Sequence, residues 1–180
     1  MSRAAWWTET RWRVAAFLAC AAALNYADRA ALSSVLPALR TDFALTDVQL
    51  GLLGSVFLWS YAIGSPIAGA IADRVSRIKL VVGSLVAWSA VTALMGAVGS
   101  YHQLLGLRMA LGAAECFFLP AAIALIADFH GTATRARAMS FISIGVNGGM
   151  ILGGSLAGLL AELHGWRTGF WVLGLAGIAL

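Results

Sequence analysis

The sequence predicts an all-α integral membrane protein built as a single bundle of helices. Of its 180 residues, 61% are hydrophobic and only 11% are charged, and the mean hydropathy of +0.85 lies far above that of soluble domains. Apolar stretches of about 20 residues recur, each long enough as a helix to cross a hydrocarbon layer of about 30 Å. These stretches are continuous and do not alternate with period two, which favours helices over a β-barrel.

Six such stretches divide the chain, and short polar connections separate them. No connection has the Pro-, Gly- or Ser-rich composition of a linker, so we expect one domain preceded by a cytoplasmic segment over residues 1–13. The sixth stretch is shorter than a membrane crossing, and we expect it to be truncated. The predicted spans cover residues 14–39, 48–71, 80–99, 104–127, 138–161 and 168–180.

The basic residues predict the orientation of these spans. Eight of the 12 Lys and Arg residues fall in the N-terminal segment and in the second and fourth connections. By the positive-inside rule these three segments are cytoplasmic, and we expect a bacterial inner (plasma) membrane protein. The net charge of +4 therefore reflects topology, and no nucleic-acid partner is expected.

Two charged residues, Asp28 and Arg29, stand side by side inside the first span. Asp28 lies about 21 Å from one end of the span and about 16 Å from the other, at 1.5 Å per residue, which places it near the bilayer midplane. A charged side chain at that depth costs at least ~2.5–3.5 kcal/mol unless it faces water or a partner. We therefore expect both side chains to face the bundle interior or an aqueous cavity.

The fourth span carries a second acid and a second base. Arg108 and Glu115 are seven residues apart, so they share one helical face at about 10 Å along the axis. If this face meets Asn25, Asp28 and Arg29, two acids and two bases lie together in a low-dielectric site. There each protonation state changes the binding of an anion. A purely structural ionic network between helices is the alternative.

The second connection carries the most specific motif of the chain. The residues "GAIADRVSRIK" at 69–79 match the loop signature G-x-x-x-D-R-x-G-R-[RK], with Ser76 in place of the usual glycine. The sequence therefore resembles the major facilitator superfamily, in which this loop joins the second and third helices. We expect Gly69 to admit a close helix and Asp73 to pair with neighbouring loops, so that the loop latches one state. An ordinary positive-inside loop is the alternative. Four residues stand in the expected places, Gly69, Asp73, Arg74 and Arg77, and a base follows at Lys79.

Other segments narrow the resemblance within this superfamily. The stretches "NYADR" at 25–29, "FLWSYAIGSP" at 57–66 and "GWRTGFWVLG" at 165–174, with the pair Arg108 and Glu115, resemble the anion:cation symporter family and the Spinster-like lipid transporters. The resemblance implies two six-helix halves related by a pseudo-twofold axis, with the substrate site between them. This chain would be the N-terminal half, with the C-terminal half absent from the sequence.

The expected function is secondary active transport, with proton-coupled uptake of a sugar acid, aromatic acid or dicarboxylate by alternating access. Arg29 is predicted to bind the anion and Asp28 with Glu115 to carry the proton, while Arg108 holds the charge of Glu115 or contributes to the anion site. The alternatives are a Spinster-like lipid or drug transporter and a non-transporting membrane module. We expect neither enzymatic activity nor a cofactor or metal, because the chain has no catalytic or metal-binding motif. The expected partners are the anion, protons, the lipid bilayer and the C-terminal half.

Predictions for other polar residues concern the substrate cavity and the connections. Asn25, Tyr61 and Asn147 are predicted to line the substrate cavity, although hydrogen bonding between helices would explain Tyr61 and Asn147 equally well. The three histidines, at 102, 130 and 164, fall in connections, where we expect them to be solvated.

The fourth connection carries an acid and two bases. We expect them either to meet the Asp73 loop and close a cytoplasmic gate or to be ordinary topology charges. They are Asp128, Arg135 and Arg137.

The glycines of the fifth span form G-x-x-x-G steps, which predict that another helix approaches closely. These are Gly145, Gly149, Gly153, Gly154 and Gly158.

Overall fold

The computed structural model describes the backbone of residues 3–180 and the side chains from residue 9 onward, so part of the predicted N-terminal segment lies outside the described residues. The described residues form helices joined by short turns, with no strand among them, which confirms the predicted all-α class. The helices are Arg3–Phe43 (α1), Asp47–Ala72 (α2), Arg77–Met95 (α3), Tyr101–Glu115 (α4), Phe118–Phe129 (α5), Thr132–His164 (α6) and Trp166–Ala179 (α7).

The fourth predicted span differs from the expectation of one continuous helix. A turn at Cys116 and Phe117 separates α4 from α5. Pro120 stands in the first turn of α5 and has no N–H to donate to the Cys116 carbonyl, which accounts for the interruption.

Four helical stretches in the described part of the chain are long and apolar enough to cross a membrane by length and composition. They are Asp47–Ala72, Arg77–Met95, Tyr101–Phe129 and Thr132–His164. The third of these stretches contains both α4 and α5. The assignment of all six predicted spans to membrane crossings stays a prediction.

The helix boundaries have local chemical causes. At the start of α2, the Thr46 hydroxyl accepts a hydrogen bond from the Gln49 backbone N–H at 3.3 Å, and the Gln49 side chain accepts one from the Thr46 N–H at 2.9 Å. This reciprocal cap satisfies two donors that a helix leaves free. Gly165 separates α6 from α7 with a φ of 87°, a conformation that glycine adopts without steric cost.

The bundle is assembled from three principal helix pairs. α1 packs most extensively against α6, α3 against α7, and α2 against α4. The core between them is built from large apolar side chains, and Trp88 of α3 meets Phe118 of α5 edge to face, with ring centroids 5.1 Å apart. This arrangement puts one face each of α1, α3 and α4 in the interior of the bundle.

Glycines of α6 lie directly against the α1 backbone. A Cβ added to any of three of them would overlap backbone atoms of α1, so the two helices approach as closely as the G-x-x-x-G steps predict. The facing pairs are Gly145 with Ala19, Gly149 with Ala23, and Gly153 with Ala27.

We expect Gly149→Ala to destabilise the protein by about 1–3 kcal/mol, because the new methyl group has no space against Ala23. Gly148→Ala is the matched control, since a Cβ there meets no atom within 4 Å. That control is expected to be neutral or to stabilise by up to about 1 kcal/mol through helix propensity. Thermal unfolding in detergent measures both variants, and equal midpoints would contradict the close packing.

Candidate functional site

The charged residues predicted to meet inside the bundle do lie together. Asn25, Asp28, Arg108 and Glu115 are each no more than 3% exposed, and the Arg29 side chain is 22% exposed. The cluster joins one face of α1 to one face of α4, in the interior of the bundle. Arg29 is the member of this group that solvent reaches most easily.

Arg29 forms an ion pair with Glu115 inside an aromatic cage. Its Nε and one terminal nitrogen each lie 2.8 Å from Glu115 Oε2. Its guanidinium carbon lies 4.8 Å from the ring centre of Tyr26, 4.9 Å from that of Phe57 and 4.7 Å from that of Tyr61. Cation–π attraction therefore adds to the ion pair in holding this side chain.

Two members of this cage were not identified from the sequence. Tyr26 lies three residues before Arg29, and Phe57 lies four residues before Tyr61, so helical spacing puts each beside a residue already singled out. That spacing is the signal that could have found them. The structure also brings the predicted Tyr61 to the cluster, through its ring.

Arg108 makes its direct hydrogen bond to α2. Its Nε donates to the Leu53 carbonyl of α2 at 3.1 Å, and its guanidinium lies 4.7 Å from the Phe57 ring centre. It acts on Glu115 electrostatically but makes no ion pair with it in the described structure. Two helical turns separate the two residues along α4, about 10 Å, whereas Arg29 faces Glu115 directly.

Asp28 has a neutral partner. The Thr92 hydroxyl of α3 donates to Asp28 Oδ2 at 3.0 Å, and both residues are buried. Among the described residues no basic nitrogen lies within ion-pair distance of the Asp28 carboxylate. Thr92 was not identified from the sequence, because a threonine in an apolar span carries no signal of its own.

Several buried polar atoms of this cluster have no hydrogen-bond partner among the described residues. The acceptors are Asp28 Oδ1 and Glu115 Oε1, and the donors are Asn25 Nδ2 and one terminal nitrogen of Arg108. Each buried polar atom without a partner costs about 1–3 kcal/mol. A purely structural network would be expected to satisfy its members.

Asn147 lies apart from the cluster. Its side chain is exposed on α6, and its amide donates to the Ser143 carbonyl of the same helix at 2.8 Å. The structure does not bring it to Arg29 or Glu115. Its role in substrate binding stays a prediction.

The predicted gating residues form one direct contact between connections. Arg77, at the start of α3, forms an ion pair with Asp128 near the end of α5. The same side chain donates to the Ala124 carbonyl at 3.4 Å. The fourth connection therefore meets the loop at 69–79 through Arg77. Arg135 instead donates to the His130 carbonyl, at 3.4 Å.

Two expected contacts of this loop are not formed within the described residues, and they stay predictions. Asp73 is exposed at the end of α2, and its carboxylate has no partner among the described residues. A Cβ at Gly69 would meet no described atom within 4 Å, because no other described helix covers that face of α2. Three further basic residues are exposed and form no ion pair with any described residue: Arg74, Lys79 and Arg137.

His130 is also placed differently from the expectation of a solvated loop. It is 1% exposed, and its ring nitrogens lie 3.2 Å from the Thr134 hydroxyl and 3.1 Å from the Arg11 carbonyl. Its ring meets Trp12 edge to face, with centroids 4.9 Å apart. It is buried because α1 extends past the predicted span and packs over the fourth connection. The other two histidines are exposed.

A polar cluster ties three helices together at the opposite end of the bundle. Asp42, at the end of α1, accepts hydrogen bonds from Trp166 Nε1 at 3.0 Å and from Arg167 at 2.8 Å. Arg167 also donates to the Val98 carbonyl beyond α3, at 3.2 Å. Hydrogen bonds from Trp166 and Arg167 hold the pKa of Asp42 below its ordinary value.

We expect Asp42→Asn to lower the thermal midpoint at pH 7, with the difference from the wild type disappearing as the pH falls below about 4. The direction of this pH dependence follows from the lowered pKa of Asp42. The charged carboxylate stabilises the fold above its unfolded pKa, and that stability is lost as the pH falls through the folded pKa. Thermal unfolding of both proteins at pH 3, 5 and 7 measures the difference in their midpoints. A midpoint difference that is the same at all three values would contradict the role of the charge.

Comparisons with known proteins identify the family of this chain. The family model described as the Major Facilitator Superfamily matches residues 18–180. The chain is 31% identical over 179 residues to a "Probable galactarate/D-glucarate transporter" of Bacillus subtilis (strain 168), covering 96% of this chain and 39% of the relative. It is 33% identical over 173 residues to an "MFS-type efflux pump" of Mycolicibacterium smegmatis, covering 94% of this chain and 40% of the relative.

The fold also matches a solved structure. A bacterial homologue of the human lysosomal transporter Spinster, in an inward-facing and unoccupied conformation, superposes with a TM-score of 0.84 at 26% identity. That match covers 94% of this chain and 41% of the solved one, in its N-terminal half. The chain thus spans about two fifths of the length of the proteins it matches. With a family model that matches nearly all of its residues, this chain belongs to the major facilitator superfamily.

Proposed function

We propose that this chain supplies the N-terminal half of a transporter that couples the uptake of a small organic anion to protons by alternating access. The observation that carries the proposal is the buried pair of Arg29 and Glu115, with Arg29 still 22% exposed. An arginine that is both paired and accessible can exchange its internal carboxylate for an external one. Arginine suits this role because its planar guanidinium binds carboxylates through two parallel N–H donors.

The exchange couples the anion to a proton through charge balance. When a substrate carboxylate displaces Glu115 from Arg29, the Glu115 carboxylate loses its partner in a buried site. An unpaired buried charge is costly, so Glu115 takes up a proton and becomes neutral. Release of the anion and of that proton on the other side of the membrane restores the original pair. Asp28 is proposed as a second proton carrier in the same cluster.

The remaining site residues have proposed supporting roles. The terminal nitrogen of Arg108 without a partner is a second donor for the substrate or for Glu115. Tyr61 and Asn25 flank the pair, from the cage and from α1 respectively. We propose that the Arg77–Asp128 ion pair helps to close the cytoplasmic side in one state of the transport cycle.

The setting of the protein is also a proposal. We place the N-terminus in the cytoplasm of a bacterium and the bundle in the inner membrane, from the distribution of basic residues and the bacterial relatives. A C-terminal six-helix half is the proposed partner that completes the substrate site.

Uptake assays test this function with the substrates named for the Bacillus relative. The protein at its full natural length is reconstituted in proteoliposomes, and radiolabelled D-glucarate and galactarate are supplied with and without an inwardly directed proton gradient. We expect accumulation above the external concentration only with the gradient. Equal uptake with and without the gradient would contradict proton coupling.

A second candidate function is export of an amphipathic drug or lipid. The efflux pump and the Spinster homologue among the similar proteins favour it. An apolar groove of about 430 Å³ between α2 and α4, lined in part by Trp59, Ile63 and Met109, also favours it. Transport of fluorescent lysophosphatidylcholine in the same proteoliposomes, with no transport of either sugar acid, would select this alternative.

A further inference from the structure

The two buried acids of the cluster are held by different kinds of partner. Glu115 accepts two N–H groups from a cationic arginine, whereas Asp28 accepts one hydrogen bond from the neutral Thr92 hydroxyl. Thr92 is 0% exposed and Asp28 is 2% exposed, so water does not compete for this contact. The buried Thr92 hydroxyl therefore gives Asp28 a neutral hydrogen-bond donor, where Glu115 has a cationic one.

The charged groups that face Asp28 come from two helices. Arg29 lies next to it on α1, and Arg108 and Glu115 act on it from α4. Among the described residues, α3 contributes the Thr92 hydroxyl as its one direct partner. With Oδ2 held by Thr92, Oδ1 is the carboxylate oxygen without a partner in the described part of the chain.

The position of Thr92 is fixed by backbone packing between α3 and α7. A Cβ on Gly174 would lie 2.5 Å from the Ala93 nitrogen and 2.7 Å from the Ser89 carbonyl oxygen. α7 therefore lies directly against the turn of α3 that carries Thr92. Threonine is also stiff about χ1 because it is branched at Cβ. Backbone and side chain together hold the hydroxyl in one place.

We propose that Thr92 is the positioning residue for Asp28, the second proton carrier. Its hydroxyl binds Oδ2 and keeps the carboxylate from turning into an ion pair with Arg29 or Arg108, so that a proton arriving from water binds Oδ1. The Thr92 proton stays on its own oxygen throughout. A hydroxyl both donates and accepts, so it can partner the charged and the protonated acid alike. This inference rests on the proposed proton-coupled function.

Transport by position-92 variants provides the first test, in proteoliposomes with the protein at its full natural length. Thr92→Val keeps the shape and removes the hydroxyl, so we expect gradient-driven D-glucarate accumulation to fall about tenfold or more. Counterflow exchange of D-glucarate, which needs no net proton movement, should change less than twofold. Thr92→Ser restores the hydroxyl and should restore accumulation. Wild-type accumulation by Thr92→Val, or equal loss of accumulation and counterflow, would overturn the proposal.

Ser89→Ala is the matched control for these measurements. Ser89 is a buried hydroxyl one turn before Thr92 on the same helix, and its oxygen has no hydrogen-bond partner in the part of the chain that the structure describes. We expect this variant to transport like the wild type in both assays. Loss of accumulation in Ser89→Ala as large as that in Thr92→Val would assign the effect to general packing of α3 and overturn the specific role of Thr92.

A double-mutant cycle tests the contact without any transport. Thermal unfolding is compared among the wild type, Thr92→Val, Asp28→Asn and the double variant, and we expect the two single effects to be non-additive because the residues share one hydrogen bond. Additive effects would overturn the contact. If the wild type itself fails to accumulate D-glucarate, the proposed substrate fails by that result alone, and the cycle still decides whether Thr92 holds Asp28.

Discussion

Arg29→Ala is expected to abolish both D-glucarate transport and the thermal stabilisation that D-glucarate gives the wild type. The variant removes the proposed anion anchor and leaves Glu115 buried without its ion-pair partner. Removing one member of a buried charge pair costs about 3–5 kcal/mol, and a loss of that size in binding is hundredfold or more in affinity. Thermal-shift titration and proteoliposome uptake measure the two losses.

Two variants show whether such losses are specific to the guanidinium of Arg29. Arg29→Lys keeps the charge but replaces the planar fork by a single ammonium, so we expect weakened binding with partial transport. Arg13→Ala removes an exposed arginine whose ion pair with Glu9 is also exposed, and it should behave as the wild type. Undiminished stabilisation of Arg29→Ala by D-glucarate would rule out the anion-anchor role.

Glu115→Gln is expected to separate exchange from accumulation. Glutamine keeps the size of the side chain and a hydrogen-bond acceptor for Arg29, but it cannot gain or lose a proton. Arg29 then has no competing carboxylate and is free for the substrate. We expect D-glucarate counterflow to persist while accumulation driven by a proton gradient falls to the background level.

The control for this charge loss is Glu162→Gln. Glu162 is an exposed acid near the end of α6, far along the chain from the cluster, and its replacement should leave accumulation unchanged. Gradient-driven accumulation by Glu115→Gln that equals that of the wild type would show that another group carries the proton.

Composition predicted the helical class, and helical spacing supplied the hypothesis that one face of α4 meets α1. An acid and a base at mid-span have few stable environments in lipid, and the spacing of Arg108 and Glu115 put both on one face. Glycine spacing similarly predicted the close approach of α6, because only a helix without side chains there can contact the α1 backbone.

Spacing along one helix could not determine which partners meet across helices. The pairing of Arg29 with Glu115, in place of Arg108 with Glu115, depends on the relative height of α1 and α4. The Leu53 carbonyl that accepts from Arg108 carries no sequence signal, since any residue has one. His130 was missed because its burial depends on the length of α1 beyond the apolar stretch.

The central proposal is that the substrate anion and the Glu115 carboxylate compete for Arg29, so that anion binding is accompanied by proton uptake. The most direct measurement adds D-glucarate to the purified wild-type protein in weakly buffered detergent solution near neutral pH and records protons taken up with a pH indicator. We predict saturable uptake of protons by the wild type and none by Glu115→Gln, although both bind the anion. Saturable binding of D-glucarate by the wild type without any proton uptake would contradict the competition.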